Sequence, residues 1–304
     1  MIAPEPMADW KNTMIVVLGS GGILGRAWTD LLERSGARYR AFDVDRVDLT
    51  RPETLEILHE ISPAWVVNCA AYTDVDAAES NAAVAQGVNG EGVGNLVQAC
   101  RRLNAFLTHY STDYVFSGEG TSPYAVDSAP DPLSVYGRTK LAGEVIVRES
   151  GRPHLLIRTS WLYAAWGSNF VRTIVRRAAE AGQLCVVDDQ HGRPTSARHL
   201  AATSLKLLQR GASGTWHVTD GGECTWYELA CEIVRLLNAP CRVEPCASDA
   251  YPRPAKRPGY SVLDISATEK ELGPMPHWKQ NVAAVVAELA KPRQAGRGVA
   301  GRDR

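Results

Sequence analysis

Residues 14–25 read Met-Ile-Val-Val-Leu-Gly-Ser-Gly-Gly-Ile-Leu-Gly, a short β-branched run followed by three evenly spaced glycines, Gly19, Gly22 and Gly25. The run predicts a buried strand, and the amphipathic pattern that follows to Arg34 predicts a helix. Glycines in such a turn let backbone N–H groups approach a pyrophosphate at the N-terminus of the helix. The stretch therefore predicts a dinucleotide-binding strand–turn–helix unit.

Asp43 directly follows the second predicted strand, residues 38–42, where a carboxylate can accept hydrogen bonds from both ribose hydroxyls of a dinucleotide. A carboxylate there also repels the 2′-phosphate of NADPH, so Asp43 favours NADH. Arg40 and Arg46 lie nearby in the sequence and soften this preference, which leaves NADPH open. Further candidate cofactor contacts follow the second and third predicted strands: Asp48, Leu49, Ala70, Ala71 and Tyr72.

Predicted strands and helices alternate from residue 14 to residue 160. Such alternation is typical of an α/β fold with a Rossmann-type, doubly wound parallel sheet. We predict a dinucleotide-binding domain over residues 14–160, which segments of the C-terminal half rejoin. We further predict a smaller, mainly substrate-binding α/β lobe over residues 161–290, an N-terminal extension over residues 1–13 and a flexible basic tail over residues 291–304.

Tyr136 and Lys140 are spaced to lie on one face of a predicted helix, residues 133–149. An ammonium group beside a phenol favours the phenolate, so this pairing predicts a lowered pKa for Tyr136. A tyrosine tuned in this way can exchange a proton with a carbonyl or alcohol oxygen. The hydroxyl groups of Ser111 and Thr112 follow an apolar run and could hydrogen-bond the same oxygen.

The composition narrows the possible partners. The net charge is −1 and no apolar run reaches the length of a membrane-spanning helix, which argues against nucleic-acid and membrane partners. The chain has seven cysteines and no Cys-x-x-Cys spacing, which argues against a disulfide framework and a zinc site and suits a cytoplasmic location. No cluster of carboxylates calls for a metal, so Mg²⁺ is possible but not indicated.

Several longer strings resemble the dTDP-4-dehydrorhamnose reductase family of extended short-chain dehydrogenase/reductases. They include residues 68–80 (Asn-Cys-Ala-Ala-Tyr-Thr-Asp-Val-Asp-Ala-Ala-Glu-Ser), residues 109–116, residues 136–144, residues 158–163 and residues 189–195. The resemblance runs in order from about residue 14 to residue 290. It implies an NAD(P)H-dependent reduction of the C4 ketone of dTDP-4-dehydro-β-L-rhamnose to dTDP-L-rhamnose, the last step of dTDP-L-rhamnose biosynthesis.

The resemblance also assigns residues. It implies a catalytic set of Thr112, Tyr136 and Lys140, with Tyr136 as the proton donor. Its cofactor contacts would be Gly22, Ile23, Leu24, Asp43, Asp48, Leu49, Ala70, Ala71, Tyr72 and Tyr110. Its sugar-nucleotide contacts would be Thr112, Asp113 and Trp161.

Some readings stay open at this stage. Trp161 could fill the core or form an aromatic wall against the substrate, and Arg257 could bind the pyrophosphate or lie on the surface. The chain could instead act on another nucleotide-linked 4-keto-6-deoxysugar as a reductase or epimerase. It could also be a non-catalytic, NAD(P)-binding regulatory subunit. A monomer and a homodimer are both compatible with the sequence.

Overall fold

The computed structural model describes residues 10–291, and in these no helix is long and apolar enough to cross a membrane. The strands are β1 (Ile15–Leu18), β2 (Tyr39–Phe42), β3 (Trp65–Asn68), β4 (Phe106–Thr112), β5 (His154–Thr159), β6 (Leu162–Tyr163), β7 (Gln183–Val187), β8 (His191–Gly192), β9 (Thr195–Ser196), β10 (Gly214–His217), β11 (Cys224–Thr225) and β12 (Arg242–Cys246). The α-helices are α1 (Ile23–Arg34), α2 (Ile57–Ile61), α3 (Val75–Ser80), α4 (Ala82–Gln86), α5 (Gly92–Leu103), α6 (Val135–Glu149), α7 (Phe170–Glu180), α8 (Ala197–Gln209), α9 (Trp226–Leu237), α10 (Ser266–Leu272) and α11 (Trp278–Ala290).

Six strands form a central sheet in the order β10–β5–β4–β3–β1–β2, and all neighbours are parallel. Strand β1 lies between β2 and β3. The chain places β2 on one side of β1 and then crosses over to place β3 on the other side, so the strand order reverses at β1. Ligands bind beyond the carboxyl ends of the strands at such a reversal. The reversal brings the glycine turn after β1 beside the loop after β3.

Helices cover both faces of this sheet. On one face, α1 and α8 enclose a cluster around Trp28 and Trp65, whose rings are 5.4 Å apart and nearly perpendicular. On the other face, α2, α5 and α6 enclose a cluster around Val16 and Val66. Burying one large apolar side chain stabilises a fold by ~1.5–3 kcal/mol, so these clusters hold the strand ends firmly. The predicted doubly wound α/β fold is confirmed.

The remaining elements form a smaller lobe. Strands β7 and β12 pair in parallel, and α7, α9 and α11 pack around them through a separate apolar cluster. Helix α9 begins with a capping box between Thr225 and Glu228, a device that stabilises a helix start by ~1 kcal/mol. Helix α8 and strand β10 also follow residue 160 in the chain, like the elements of the smaller lobe. They nevertheless pack with the large sheet. The functional division of the chain at residue 160 stays a prediction.

Two predicted elements differ from the structure. A continuous helical pattern over residues 77–102 is divided into α3, α4, a π-helical turn at Gly87–Glu91 and α5. The π-helical turn coincides with Asn89, whose side chain bonds outside the helix. Strand β4 runs two residues further than predicted because Ser111 and Thr112 still pair with β5.

The two predicted terminal segments fall largely outside the described residues. Residues 10–12 of the predicted loose extension form a turn, and Trp10 packs against the core of the large sheet. The N–H group of Arg38, just before β2, donates to the Lys11 carbonyl over 2.9 Å. Residues 1–9 of the extension and residues 292–304 of the predicted basic tail lie outside the described residues.

Candidate active site

The glycine turn between β1 and α1 is shaped for a phosphate group. Gly19 has φ of +70°, and a Cβ there would lie 2.6 Å from the Ala70 nitrogen. A Cβ on Gly25 would overlap the Gly19 carbonyl oxygen. Only glycine allows this close packing of turn, helix and β3 loop, so the residues present fit the pyrophosphate of a dinucleotide.

Asp43 lies against this turn at the end of β2. Its Oδ2 accepts a hydrogen bond from the Gly21 N–H over 3.1 Å, and its Oδ1 accepts one from the Val44 N–H over 2.9 Å. The carboxylate is therefore held at the side of the turn where the adenine ribose of a dinucleotide is expected. The neighbouring residue Val44 is 70% exposed, so this side of the turn is accessible from solvent.

Asp48 and Leu49 are held by local contacts instead. The Asp48 carboxylate accepts hydrogen bonds from both the N–H and the hydroxyl group of Thr50. Leu49 is buried in the apolar cluster on the α5 side of the sheet. Neither residue lines the cavity beyond the carboxyl ends of the central strands. Their contact with the adenine therefore stays a prediction.

A cavity of about 370 Å³ lies beyond the carboxyl ends of β1, β3, β4 and β5. It brings together many of the predicted site residues, which are Gly22, Ile23, Leu24, Ala70, Ala71, Tyr110, Ser111, Thr112, Tyr136, Lys140 and Trp161. The lining does not include the predicted Gly19, Gly25, Asp43, Asp48, Leu49, Tyr72, Asp113 and Arg257.

Tyr136 lies in the first turn of α6, which Ser134 caps by accepting the Gly137 N–H over 3.1 Å. Burial raises the pKa of Tyr136 to about 12, against the effect of a hydrogen bond with Thr112. The prediction of a lowered pKa is therefore wrong for the protein by itself, because loss of hydration outweighs the hydrogen bond with Thr112 and the Asp113 carboxylate raises the pKa further. At neutral pH the phenol carries its proton.

Lys140 lies one helical turn further along α6 and is 3% exposed. Its Nζ donates to the Tyr110 carbonyl oxygen over 2.6 Å, and burial lowers its pKa to about 8. The Tyr110 ring points away into the core, where its hydroxyl accepts from Trp28 Nε1 over 2.8 Å. The carbonyl group of Tyr110 therefore positions Lys140. The predicted contact of Tyr110 with the cofactor stays a prediction.

Hydroxyl groups at the ends of β4 and β5 face the same cavity. Thr112 Oγ1 donates to Asp113 Oδ1 over 3.0 Å, while Ser111 Oγ and Thr159 Oγ1 are buried without a hydrogen-bond partner among the described residues. Buried hydroxyl groups usually find partners, so two spare ones at a cavity wall suit a polar ligand. Asp113 lies behind Thr112, and burial raises its pKa to about 7.

Trp161 forms one wall of the cavity. Its φ is +46°, a left-handed conformation that is strained for a bulky residue. Its ring stacks on Trp226 with centroids 3.6 Å apart, and a Cβ on Gly192 would overlap the same ring. Behind Trp226 lies a second cavity of about 410 Å³. The structure thus favours the aromatic-wall reading of Trp161, although Trp226 is needed to build that wall.

Arg257 lines the second cavity and is already paired. Its two terminal nitrogens bond the two oxygens of Asp76 over 3.0 and 2.9 Å, and the guanidinium group holds the pKa of Asp76 below its usual value. This pair ties the Pro-rich segment before residue 258 to α3. A contact between Arg257 and a pyrophosphate stays a prediction.

Several residues at the site are not indicated by any sequence motif. Asn89 in the π-helical turn bonds both the N–H and the carbonyl group of Tyr72, over 2.9 and 3.0 Å, and also reaches Thr139 of α6. It thereby joins the loop after β3 to the helix that carries Tyr136. Other residues that were not predicted line the main cavity, and most of them follow predicted strands: Thr73, Thr159, Ser160, Leu162 and Ser168. Only their position after strand ends could have indicated them.

Within residues 10–291, no group of three or more His, Cys, Asp or Glu side chains could hold a metal ion.

Comparison with protein families gives a match over residues 13–291 to the model described as RmlD substrate binding domain. The chain belongs to this family. A dTDP-4-dehydrorhamnose reductase of Streptomyces griseus is 44% identical over 309 residues, which cover 99% of each chain. A probable dTDP-4,6-dihydroxy-2-methyloxan-3-one 4-ketoreductase of Streptomyces antibioticus is 42% identical over 252 residues, 82% of this chain and 85% of that relative.

A solved structure of the family resembles this chain closely. The dTDP-4-dehydrorhamnose reductase of Bacillus anthracis, in complex with NADP, superposes with a TM-score of 0.88 at 33% identity and covers 91% of this chain and 99% of its own. The predicted family and the prediction of an oxidoreductase are confirmed. The glycine turn and this likeness together support a nicotinamide dinucleotide as cofactor.

Proposed function

We propose that the protein reduces the C4 ketone of dTDP-4-dehydro-β-L-rhamnose to give dTDP-L-rhamnose. The observation that carries this proposal is the cavity in which a buried, protonated phenol, spare hydroxyl groups and the glycine turn face one another. That set is what a ketone reduction needs, since it joins a dinucleotide site to a proton donor and to donors for the carbonyl oxygen.

A bound reduced nicotinamide supplies the hydride. Tyr136 donates its proton to the oxygen that becomes the new hydroxyl group, and the raised pKa keeps this proton available at neutral pH. Lys140 lies one turn away, and its positive charge stabilises the phenolate that remains. Ser111, whose hydroxyl group is unpaired, donates a hydrogen bond to the carbonyl oxygen as negative charge develops, and Thr112 joins it by turning its hydroxyl proton away from Asp113.

The nucleotide part of the substrate extends past the Trp161–Trp226 stack into the second cavity. Arg177, Arg253 and Arg257 line this cavity, and guanidinium groups suit the oxygens of a diphosphate. Asp76 already holds one edge of Arg257 and so fixes its orientation. Trp161 then separates the sugar from the nucleotide and presents a flat face to the sugar ring.

Asp43 supports NADH as the preferred cofactor because its carboxylate, held beside the glycine turn, would repel a 2′-phosphate bound there. The Bacillus anthracis relative was solved with NADP, which supports NADPH. Arg46 lies close enough in the sequence to offer such a phosphate a positive charge. We therefore propose that both cofactors serve, with NADH bound more tightly.

The deciding experiment is an assay of NADH and NADPH oxidation with enzymatically prepared dTDP-4-dehydrorhamnose. We expect turnover with both cofactors and dTDP-L-rhamnose as product, identified by chromatography against a standard. Absence of turnover with either cofactor, together with tight cofactor binding, would overturn the proposal in favour of a regulatory, non-catalytic subunit.

A second candidate is the reduction of another dTDP-linked 4-ketosugar. The likeness to the Streptomyces antibioticus relative favours it, because that relative is nearly as similar as the first. The same catalytic residues would serve, and only the walls of the sugar site would differ. Comparing kcat/KM for dTDP-4-dehydrorhamnose and for dTDP-4,6-dihydroxy-2-methyloxan-3-one decides between them.

A further inference from the structure

Trp166 joins the smaller lobe to the glycine turn. It lies in the loop after β6, and its indole Nε1 donates a hydrogen bond to the Ile23 carbonyl oxygen over 3.0 Å. Ile23 is the first residue of α1 and lines the main cavity. The Trp166 side chain is 8% exposed, so this contact is shielded from water.

Two arginines hold the indole ring. The guanidinium carbons of Arg26 and Arg198 lie 5.0 and 4.7 Å from the centre of the Trp166 ring. Arg198 is also ion-paired with Glu288 of α11. Cation–π contacts of this kind restrict a ring to one orientation, and here they link α1, α8 and α11 through Trp166.

The loop around Trp166 is stiff and reaches the cavity. Asn169 Nδ2 donates to the carbonyl oxygens of Ala164 and Trp166 over 3.0 and 3.1 Å. Gly167 has φ of +68°, and a Cβ there would lie 2.5 Å from Ile23 Cγ1. The next residue, Ser168, lines the cavity. A shift of Trp166 would therefore move both Ile23 and Ser168.

We propose that Trp166 is a positioning residue that presses residues 164–168 against the glycine turn and thereby sets the affinity for the nicotinamide half of the dinucleotide. The cavity that Ile23 and Ser168 line is also lined by Tyr136, so the reacting half of a bound cofactor would lie there. Asp43, where the adenine ribose is expected, lies outside this cavity. The inference rests on dinucleotide binding at the turn and is independent of which sugar is reduced.

The test uses Trp166→Phe, which keeps an aromatic ring and removes the N–H donor. Trp216→Phe is the matched control, because Trp216 donates to Ser213 at the edge strand β10 and lies outside the cavity lining. Binding of NADH and of AMP to each full-length protein is measured by calorimetry. Loss of one hydrogen bond predicts an NADH Kd about three- to tenfold higher for Trp166→Phe, with the AMP Kd unchanged.

In turnover assays the same variant should raise the KM for NADH by a similar factor and change kcat by less than about twofold. The proposal is overturned if Trp166→Phe binds NADH like the control. It is also overturned if NADH and AMP weaken equally, since that result indicates general damage to the turn.

A second variant covers the case in which Trp166→Phe does not fold. Arg198→Gln removes one of the two cations on the ring at a partly exposed position, 42% by side chain. We expect a roughly two- to fivefold weaker NADH affinity and an unchanged AMP affinity, since a cation–π contact at a partly exposed site contributes only modestly. Unchanged affinity for NADH in this variant would equally overturn the proposal.

Discussion

The two halves of the crevice are built in different ways. The cofactor half rests on consecutive residues, Gly19 to Gly25, that turn directly from β1 into α1. The proposed substrate half rests on Trp161 and Trp226, which lie on different segments and meet only in the folded chain. The first half can be found by reading along the sequence, whereas the second depends on packing. Changes in the two halves should therefore separate cofactor binding from substrate binding.

The largest effect is expected where the two halves meet. Tyr136→Phe removes the proposed proton donor and should lower kcat by about 10²- to 10⁴-fold, the usual contribution of a general acid. The NADH Kd should stay the same, because the ring remains in place. Steady-state kinetics and calorimetry measure the two quantities, with Tyr39→Phe on the partly exposed strand β2 as the control. Near-normal turnover of Tyr136→Phe would remove Tyr136 from the catalytic set.

Gly25→Ala acts on the cofactor half alone. The added Cβ would overlap the Gly19 carbonyl oxygen, and backbone atoms cannot move aside cheaply. We expect a loss of ~1–3 kcal/mol in the free energy of unfolding and a strong loss of NADH affinity. Gly182→Ala is the matched control, because a Cβ there meets nothing within 4 Å. Urea unfolding and NADH titration measure the outcome, and equal behaviour of the two variants would contradict the close packing.

The buried carboxyl group of Asp113, behind Thr112, should make the free energy of unfolding depend on pH. Burial raises its pKa from 3.8 to about 7, so the folded chain holds this proton more tightly than the unfolded chain. The contribution of Asp113 to stability is therefore complete below pH of about 4 and is lost as the pH rises through about 7. Asp113→Asn cannot titrate, so its stability relative to the wild type should rise over that range by at most ~1.4 kcal/mol per pH unit.

Urea unfolding of the wild type and of Asp113→Asn at several pH values measures this difference. Asp131→Asn is the control, because Asp131 is exposed. A difference that does not depend on pH would show that Asp113 remains ionised in the folded protein.

The smallest effect is expected from Trp226→Phe, which acts on the substrate half alone. A smaller ring weakens the stack on Trp161, and aromatic pairs contribute ~0.5–1.5 kcal/mol beyond their buried area. The KM for the sugar nucleotide should rise by about two- to tenfold. The NADH Kd should not change, and a change in it would mean that the two halves are not separable. Trp216→Phe again serves as the control in both measurements.

The sequence was informative where function depends on neighbours in the chain. The spacing of Gly19, Gly22 and Gly25 and the alternation of strands and helices predicted the fold, which the parallel sheet confirms. The helical spacing of Tyr136 and Lys140 placed both residues at one cavity. These features follow from helix and strand periodicity, which a sequence displays directly.

The sequence misled where an environment had to be known. Lys140 was expected to lower the pKa of Tyr136, but the ammonium group bonds the Tyr110 carbonyl oxygen and burial raises that pKa instead. Hydration is lost only when distant segments enclose a side chain, so periodicity contains no measure of it. The Asp76–Arg257 pair and the bonds of Asn89 escaped notice for the same reason, since each joins segments far apart in the chain.

By itself, then, the sequence determined the strand–turn–helix unit, the parallel sheet and the type of chemistry, because these depend on residue types at short spacings. Only the tertiary structure decided which groups are buried, which hydroxyl groups stay unpaired, and how Trp161, Trp166 and Trp226 enclose the crevice. Those properties come from side chains that meet across the fold, where the loss of water and the exclusion of overlap set the energies.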